Sequence, residues 1–505
     1  MSGDATSPAV PSVPSDDAGR PWFRDLPRAV WWITAAHFLL LLVLAGRYGH
    51  HRDELYFLEA TQHLALGYVD QPPLVVYLAW LQTELFGVAV DTLRYLSAVA
   101  SAGSVVVGAL LAREFGGGRR AQIVAAGALA GSPFVLTTGH LLSTATFDFF
   151  FWMVGILVAT RLLRTGETRL WVAFGALVGI ALWNKHLVIL LAVSLVLALT
   201  VSRRWRLLTP KWLVLGGIIA VGIAAPTLWW QATNGWPQLE MAGALSDRLG
   251  NENRTMLLPL QLLLIGPFLL PLVIAGLRWL FQRGRGGETY RPLLIAYLAA
   301  LVLTFATGGR PYYPLPLAAT VVVAGAVALE RASLRWLAPA VAINALVALP
   351  LSLPLVPEGD LASTPIGDIN DTQVEQVGWV RLKNQIQLVR YALPAAEADD
   401  VVVVTGTYGE AGAIDLYGDH AGLTPAYSGH NSYWHWRRPT DDDATVIAVR
   451  LPEELLSRNF EDCELAATVE IPFGIDNEVA GQPIWVCRGL RGTWEQAWPD
   501  FRHYN

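Results

Sequence analysis

Long apolar runs of about 20 residues alternate with short polar stretches over the first 356 positions, and the pattern then changes. The runs fall at 29–47, 91–112, 120–138, 147–163, 169–184, 186–202, 212–230, 257–279, 291–308, 312–330 and 336–356. That length matches the roughly 20 helical residues needed to cross a ~30 Å hydrocarbon core. About eleven transmembrane helices are therefore expected in 29–356, the first of them a retained span rather than a cleaved signal peptide. Residues 1–28 read as a disordered cytoplasmic tail, rich in Ser, Pro, Asp and Ala in its first twenty positions. Beyond 357 the runs shorten. Val401–Val404, Thr445–Val449 and Ile484–Cys487 read as strands, and Gln373–Ala392 and Glu410–Tyr417 as helices, so 357–505 is expected to be a small α/β domain.

Charge placement orients this layout. The chain has 505 residues, 53% hydrophobic and only 15% charged, with a mean hydropathy of +0.39; soluble domains average about 25% charged. Its basic residues gather in alternate loops: Arg20/Arg24/Arg28, Arg113/Arg119/Arg120, Arg161/Arg164/Arg169, Arg203/Arg204/Arg206/Lys211, Arg278/Arg283/Arg285/Arg291 and Arg331/Arg335. All six groups fall on one side of the spans, which makes that side cytoplasmic. The loop 48–90, the segments near 139–146 and 185, loop 231–256, the turn 308–311 and the domain 357–505 then face outward from the cytoplasmic membrane. A net charge of −6 offers no footprint for nucleic acid. Cys463 and Cys487 form no CxxC pattern, which argues against a thiolate metal site. Outside the cytosol the two are candidates for a disulfide, with free thiols the alternative.

The outward segments hold the candidate chemistry. The first reads His50-His51-Arg52-Asp53-Glu54-Leu55-Tyr56, then Asp70-Gln71-Pro72-Pro73, with Leu58–Leu66 expected as a short amphipathic helix at the interface. Carboxylates at the mouth of a membrane cavity suit general-base work on a hydroxyl when burial raises their pKa. Asp148 lies near the outer end of a span, where a carboxylate facing lipid costs several kcal/mol, so it is expected to face a cavity or to bond a neighbouring helix. Lys185 and Arg310 sit at outer helix ends, with lipid contact as the bland alternative. His50, His51, Asp53, Glu54 and Glu59 could offer ligands to a divalent ion, but their spacing matches no tight pattern. The aromatic loop Tyr427–Trp436 is read first as packing between the domain and the spans, and second as a sugar surface. No Walker or GxGxxG pattern is present, which argues against a nucleotide donor. No internal repeat is visible, which weakens a transporter reading.

Asp53-Glu54-Leu55-Tyr56 directly after the first span, with Asp70-Gln71-Pro72-Pro73-Leu74 following, resembles the polyprenyl-phosphate-sugar glycosyltransferases of the GT-C fold. That group includes the protein O-mannosyltransferases and the lipid A aminoarabinose transferase. Thr146-Phe147-Asp148, Asn184-Lys185-His186, Asn234-Gly235-Trp236-Pro237, Gly309-Arg310-Pro311-Tyr312-Tyr313, Tyr408–Asp415 and Ser428–Trp434 are similar to segments of the same bacterial branch, in the same order. The resemblance implies an inverting transfer of a sugar from a polyprenyl phosphate to an envelope lipid, glycan or protein. Asp53 is then the base, with Glu54 beside it, and Asp148 assists it or holds the donor sugar. Lys185, Arg310 and Arg52 become candidates for the leaving phosphate, and Tyr56, Asp70, His186, Tyr312 and Tyr313 complete the substrate contacts. Some relatives in the fold use a divalent ion, so a metal stays open and no cofactor is assigned. The non-enzyme alternative is a multi-span transporter or lipid flippase, which needs a path open to both sides.

Overall fold

The structure is a computed structural model, and residues 26–282, 284, 286–330 and 336–504 are described. Arg20, Arg24, Arg283, Arg285, Arg331 and Arg335, and most of the 1–28 tail, lie outside them.

Each apolar run is found as helix. In chain order these are α1 (Arg28–Leu44), α2 (Arg52–Ala60), α3 (Leu74–Phe86), α4 (Tyr95–Glu114), α5 (Arg119–Ala130), α6 (Pro133–His140), α7 (Thr144–Thr165), α8 (Leu170–Ala181), α9 (Val188–Val201), α10 (Pro210–Thr233), α11 (Pro237–Ile265), α12 (Leu270–Phe281), α13 (Arg291–Thr307), α14 (Leu315–Leu329) and α15 (Leu337–Ser352). Among the described residues, four helical stretches are long and apolar enough to cross a membrane singly: Thr92–Glu114, Thr144–Thr165, Pro210–Thr233 and Gly287–Thr307. Two bent pairs raise this to six. The expected run 120–138 is one of them, α5 and α6 meeting at 55° where Pro133 opens the second helix. The other is α11 with α12, bent by 84° at Gly266-Pro267. The remaining apolar helices have 10–17 residues. This is a polytopic membrane protein whose spans are often broken.

Mid-helix Ile218, Val221, Val302 and Leu346 stand exposed, a surface suited to hydrocarbon rather than water. Between helices, small residues allow close approach. Gly175 of α8 and Gly216 of α10 touch backbone to backbone and leave no room for a Cβ on either.

Two outward segments differ from expectation. The loop 48–90 contains α2 and α3, and the short helix expected at Leu58–Leu66 instead begins at Arg52 and stops at Ala60. Loop 231–256 is mostly helix: after the left-handed Trp236, α11 starts at Pro237 and runs 29 residues. Its polar first half projects beyond the apolar part, which is why hydropathy alone reads it as loop.

The last part of the chain forms a five-stranded sheet of order β2-β1-β3-β5-β4, made of β1 (Val401–Thr405), β2 (Ala426–Ser428), β3 (Thr445–Val449), β4 (Phe460–Thr468) and β5 (Pro483–Leu490). β1 lies parallel between β2 and β3, which is why its Val run shows no alternation of polarity. The edge strand β4 is mostly exposed and escaped the sequence reading, as did three-residue β2. Cys463 and Cys487 stand opposite one another on β4 and β5 and form a disulfide. Four helices cover the sheet: α16 (Trp379–Ala392), α17 (Tyr408–Tyr417), α18 (Glu453–Asn459) and α19 (Trp494–Phe501).

Strand alternation divides the two cores. Val404, Val446 and Ala448 pack with Leu456, Trp494, Trp498 and Phe501 on the far face. Val403, Ile447 and Val449 pack with Leu382, Ile386 and Ile414, and this core continues into Leu55, Tyr56 and Phe57 of α2. The helix α17 meets α2 so closely that a Cβ on Gly412 would lie 3.0 Å from the Leu55 backbone. The Gly409-Glu410-Ala411-Gly412 motif is thus a docking surface between domain and bundle.

Candidate active site

The acidic pair after α1 is split by the helix it begins. His51 is the N-cap of α2: its Nδ1 accepts from the Asp53 backbone N–H (3.2 Å), and the Glu54 carboxylate accepts from the His51 N–H (2.8 Å). This reciprocal cap needs an acidic or amide side chain three residues on. It turns Glu54 inward and leaves Asp53, one residue earlier, on the open side.

Glu54 is wholly inaccessible, and Arg94 meets it from the start of α4 at 1% exposure. Nε and Nη2 of Arg94 donate to the two Glu54 oxygens at 2.9 and 2.7 Å. The same guanidinium donates to the carbonyls of Ala45 and Gly49 (both 2.9 Å) and to Gln376 Oε1 (3.1 Å), and it contacts His140 Nε2 at 3.1 Å. The Leu142 N–H supplies Glu54 with another bond (2.9 Å). Burial pushes the Glu54 carboxyl upward, but Arg94, His50 and these hydrogen bonds outweigh it and hold it at about 2. Its oxygens are occupied and it lines neither cavity described below. Glu54 was expected beside Asp53 in the chemistry; it belongs instead to an ion pair that fixes the loop.

Asp53 keeps 39% of its side chain exposed. Its Oδ1 accepts from the Tyr408 hydroxyl at 2.8 Å, and Arg52 Nε stands 3.8 Å away. Arg52 is engaged by Glu478, at close range.

A cavity of about 1100 Å³ opens on this side, with Arg52, Asp53, Tyr56, Asp70, Lys185, His186, Arg310, Tyr312 and Tyr313 all in its wall. Nine of the candidates named from the sequence are thereby brought together from four separate stretches of chain. The Tyr56 hydroxyl donates to Asp70 (2.6 Å), and burial, only partly offset by that bond, pushes the Asp70 carboxyl up to about 6. Lys185 donates to the Tyr312 hydroxyl at 3.0 Å and lies over the rings of Tyr312 and Tyr313, 5.1 and 5.4 Å from their centroids. Arg310 is exposed, and its side chain makes no ion pair among the described residues.

A second cavity of about 410 Å³ adjoins the first. Its wall is mainly apolar, with Phe134, Leu141, Leu263, Phe268, Val347 and Leu351, and its polar end holds Asp371 and Glu375. Burial pushes Glu375 up to about 7 against the pull of Arg52. Arg52, Asp53, Arg310 and Tyr312 line both cavities.

Asp148 departs from expectation. It is 5% exposed on α7 and lines neither cavity. The residues that could offer metal ligands are dispersed too. His50 turns to the Tyr417 hydroxyl (2.8 Å), His51 caps α2, and Glu59 pairs with Arg437 (3.1 Å) and His63 (3.3 Å). Among the described residues no three His, Cys, Asp or Glu side chains converge in a way that fits a metal ion.

Sequence reasoning missed Arg94, Tyr408, Glu478 and the cavity face of α11, including Leu245, Leu249 and Asn253. For α11 a signal was present: Pro237 after Gly235-Trp236, since Pro favours the first helical position. The loop Tyr427–Trp436 does pack against α2, with Trp436 stacked on Tyr56 (5.5 Å) and His63 (4.7 Å).

Comparison with known proteins places this geometry. A profile of the dolichyl-phosphate-mannose-protein mannosyltransferases matches residues 70–230. The crystal structure of ArnT from Cupriavidus metallidurans bound to undecaprenyl phosphate is similar over 91% of this chain and 97% of its own, with 15% identity and a TM-score of 0.59. The apo structure of the same protein gives 91%, 98%, 15% and 0.55. No curated protein sequence matches the chain. The fold is thus the GT-C architecture that the motif order implied.

Proposed function

We propose that this protein is a membrane glycosyltransferase that moves a sugar from a polyprenyl-phosphate donor to a cell-envelope acceptor, with Asp53 as its base. The observation that carries this reading is the shared wall of the two cavities. A two-substrate transfer needs two binding spaces that meet at the reacting groups, and a carboxylate and a cation occupy that meeting point here. The resemblance of the fold to a protein crystallised with undecaprenyl phosphate, and of residues 70–230 to mannosyltransferases using dolichyl phosphate, supports a lipid-phosphate donor.

In this reading the acceptor hydroxyl attacks the anomeric carbon while its proton passes to Asp53. The bond from that carbon to the phosphate oxygen breaks, and the electron pair leaves with the lipid phosphate. Lys185 and Arg310 stabilise the charge growing on that oxygen. A single displacement inverts the anomeric configuration. Lys185 is held in place by Tyr312, and Arg310 is free to meet an anion. Asp70 and Tyr56, paired at the cavity wall, are suited to sugar hydroxyls.

The described basic helix ends support an outward-facing site. Arg164 of α7 bonds Glu114 of α4 at 2.7 Å at one end of the bundle, and the cavities lie at the other. By the positive-inside rule the cavities and the sheet domain then face away from the cytoplasm. Comparing lipid-linked and envelope glycans by mass spectrometry in cells with and without the protein tests the function. Loss of one glycan with accumulation of its lipid-linked precursor is expected. Unchanged glycans with a lipid redistributed between leaflets would favour the flippase.

A further inference from the structure

The sheet domain does more than cap the bundle. Its helix α17 begins at Tyr408, and the Tyr408 hydroxyl donates to Asp53 Oδ1 at 2.8 Å across a sequence separation of 355. We infer that Tyr408 is a positioning residue for the transfer reaction, donated by the C-terminal domain, which holds one Asp53 oxygen so that the other is aimed at the incoming hydroxyl. The inference rests on the transfer reading above and goes beyond it by making the domain part of the reaction centre.

Three features hold Tyr408 in place. Glu410, completely buried, closes a capping box with Thr407 at the start of α17 and pairs with Arg450 (3.0 Å), which sets the helix end. The Tyr408 ring lies between Tyr56 of α2 (4.7 Å between centroids) and His430 of the domain (4.5 Å, planes 19° apart), and His430 stacks in turn on His503 (4.8 Å). The absence of a side chain at Gly409, where a Cβ would come 3.0 Å from that of Arg52, lets α17 approach the base closely. A ring packed against two aromatic neighbours has little freedom to swing, which restrains the direction of its hydroxyl. A free Asp carboxylate rotates about χ2 with a broad profile, and a fixed donor removes that freedom in the geometry a general base requires.

Tyr408→Phe keeps the ring stack and removes only the hydroxyl. The test uses membrane vesicles from the native cells carrying each full-length variant. It follows formation of the glycan that the deletion strain lacks, with extracted cellular lipid as donor source at several dilutions. Tyr408→Phe is expected to lower the maximal rate about ten-fold or more, leave the donor dilution for half-maximal rate unchanged, and leave protein level and thermal unfolding as in the wild type. In an Asp53→Asn background the same substitution should cause no further loss, because the group it orients can no longer take a proton.

A full rate in Tyr408→Phe, or an equal loss in both backgrounds, overturns the inference. A loss seen only as a weaker donor response also overturns it, by reassigning Tyr408 to binding. Full activity of Asp53→Asn would overturn the transfer mechanism itself, which separates the two failures.

Discussion

Two charged regions lie a single residue apart in sequence and follow opposite rules. Around Glu54 and Arg94 the carboxylate and the guanidinium are both buried and both fully engaged by protein partners. Around Asp53, Lys185 and Arg310 the charges line open space, and Arg310 has no carboxylate against it among the described residues. A buried charge persists only when paired, and a fully paired group has nothing left to offer a substrate. An acidic pair in sequence is therefore not an acidic pair in function, since helix geometry assigns one member to structure and the other to the cavity.

The comparison predicts different failures for different substitutions. The largest effect is expected at Asp53: Asp53→Asn keeps shape and hydrogen bonding but cannot take a proton, so transfer should fall about 10²–10⁴-fold with folding intact. Vesicle assays and thermal unfolding of the same preparation check both halves. A well-folded, fully active Asp53→Asn would erase the distinction between the two regions.

Arg94→Met should act on stability instead. Breaking a buried ion pair by removing one partner costs about 3–5 kcal/mol, so the variant should accumulate poorly and unfold early in detergent. Adding Glu54→Gln removes the stranded charge, and the double variant should recover part of that loss. Failure to recover would mean that the remaining Arg94 bonds, not the ion pair, hold the loop.

Lys185→Ala and Arg310→Ala come next. Each removes a charge-assisted contact worth about 1.5–3 kcal/mol, which predicts donor use weakened about ten-fold or more at unchanged stability. Undecaprenyl phosphate competition against the lipid donor measures it directly. Unchanged donor kinetics in both variants would reassign the pair to lipid contact.

The smallest effect concerns pH. Glu54 is held at about 2 in the folded protein against an ordinary value of 4.5. Its stabilisation is therefore complete above about 4.5 and is lost as pH falls from there towards 2. Unfolding followed across that window should show a slope that Glu54→Gln reduces. An identical slope in the variant would place the acid sensitivity elsewhere.

Much of this was legible in the chain, for physical reasons that also mark where legibility ends. Apolar runs reveal helices because burial in lipid demands continuous hydrophobicity, so α4, α7, α10 and α13 stand where expected. The motif in α2 and the cations at 185 and 310 were visible because charges beside apolar runs are rare. Arg94 was not visible: a lone Arg at the start of an apolar run looks like snorkelling until its partner, 40 residues upstream, is known. Tyr408 opened a recognisable motif, but its contact with Asp53 was hidden for the same reason at greater range. The polar half of α11 was hidden because it continues the helix without the apolar run by which hydropathy marks one.

One more consequence follows from how Arg94 is satisfied. Its partners come from the end of α1, the loop before α2, Glu54, His140 at the end of α6 and Gln376 beyond α15. Because a chain is made from its N-terminus, Gln376 is the last of these to leave the ribosome. The guanidinium must wait with an incomplete set of partners through the synthesis of nearly three hundred residues, and Tyr408 arrives later still. The contact between Tyr408 and Asp53 therefore cannot form until the sheet domain has been made, so insertion of the helices alone leaves the proposed site incomplete.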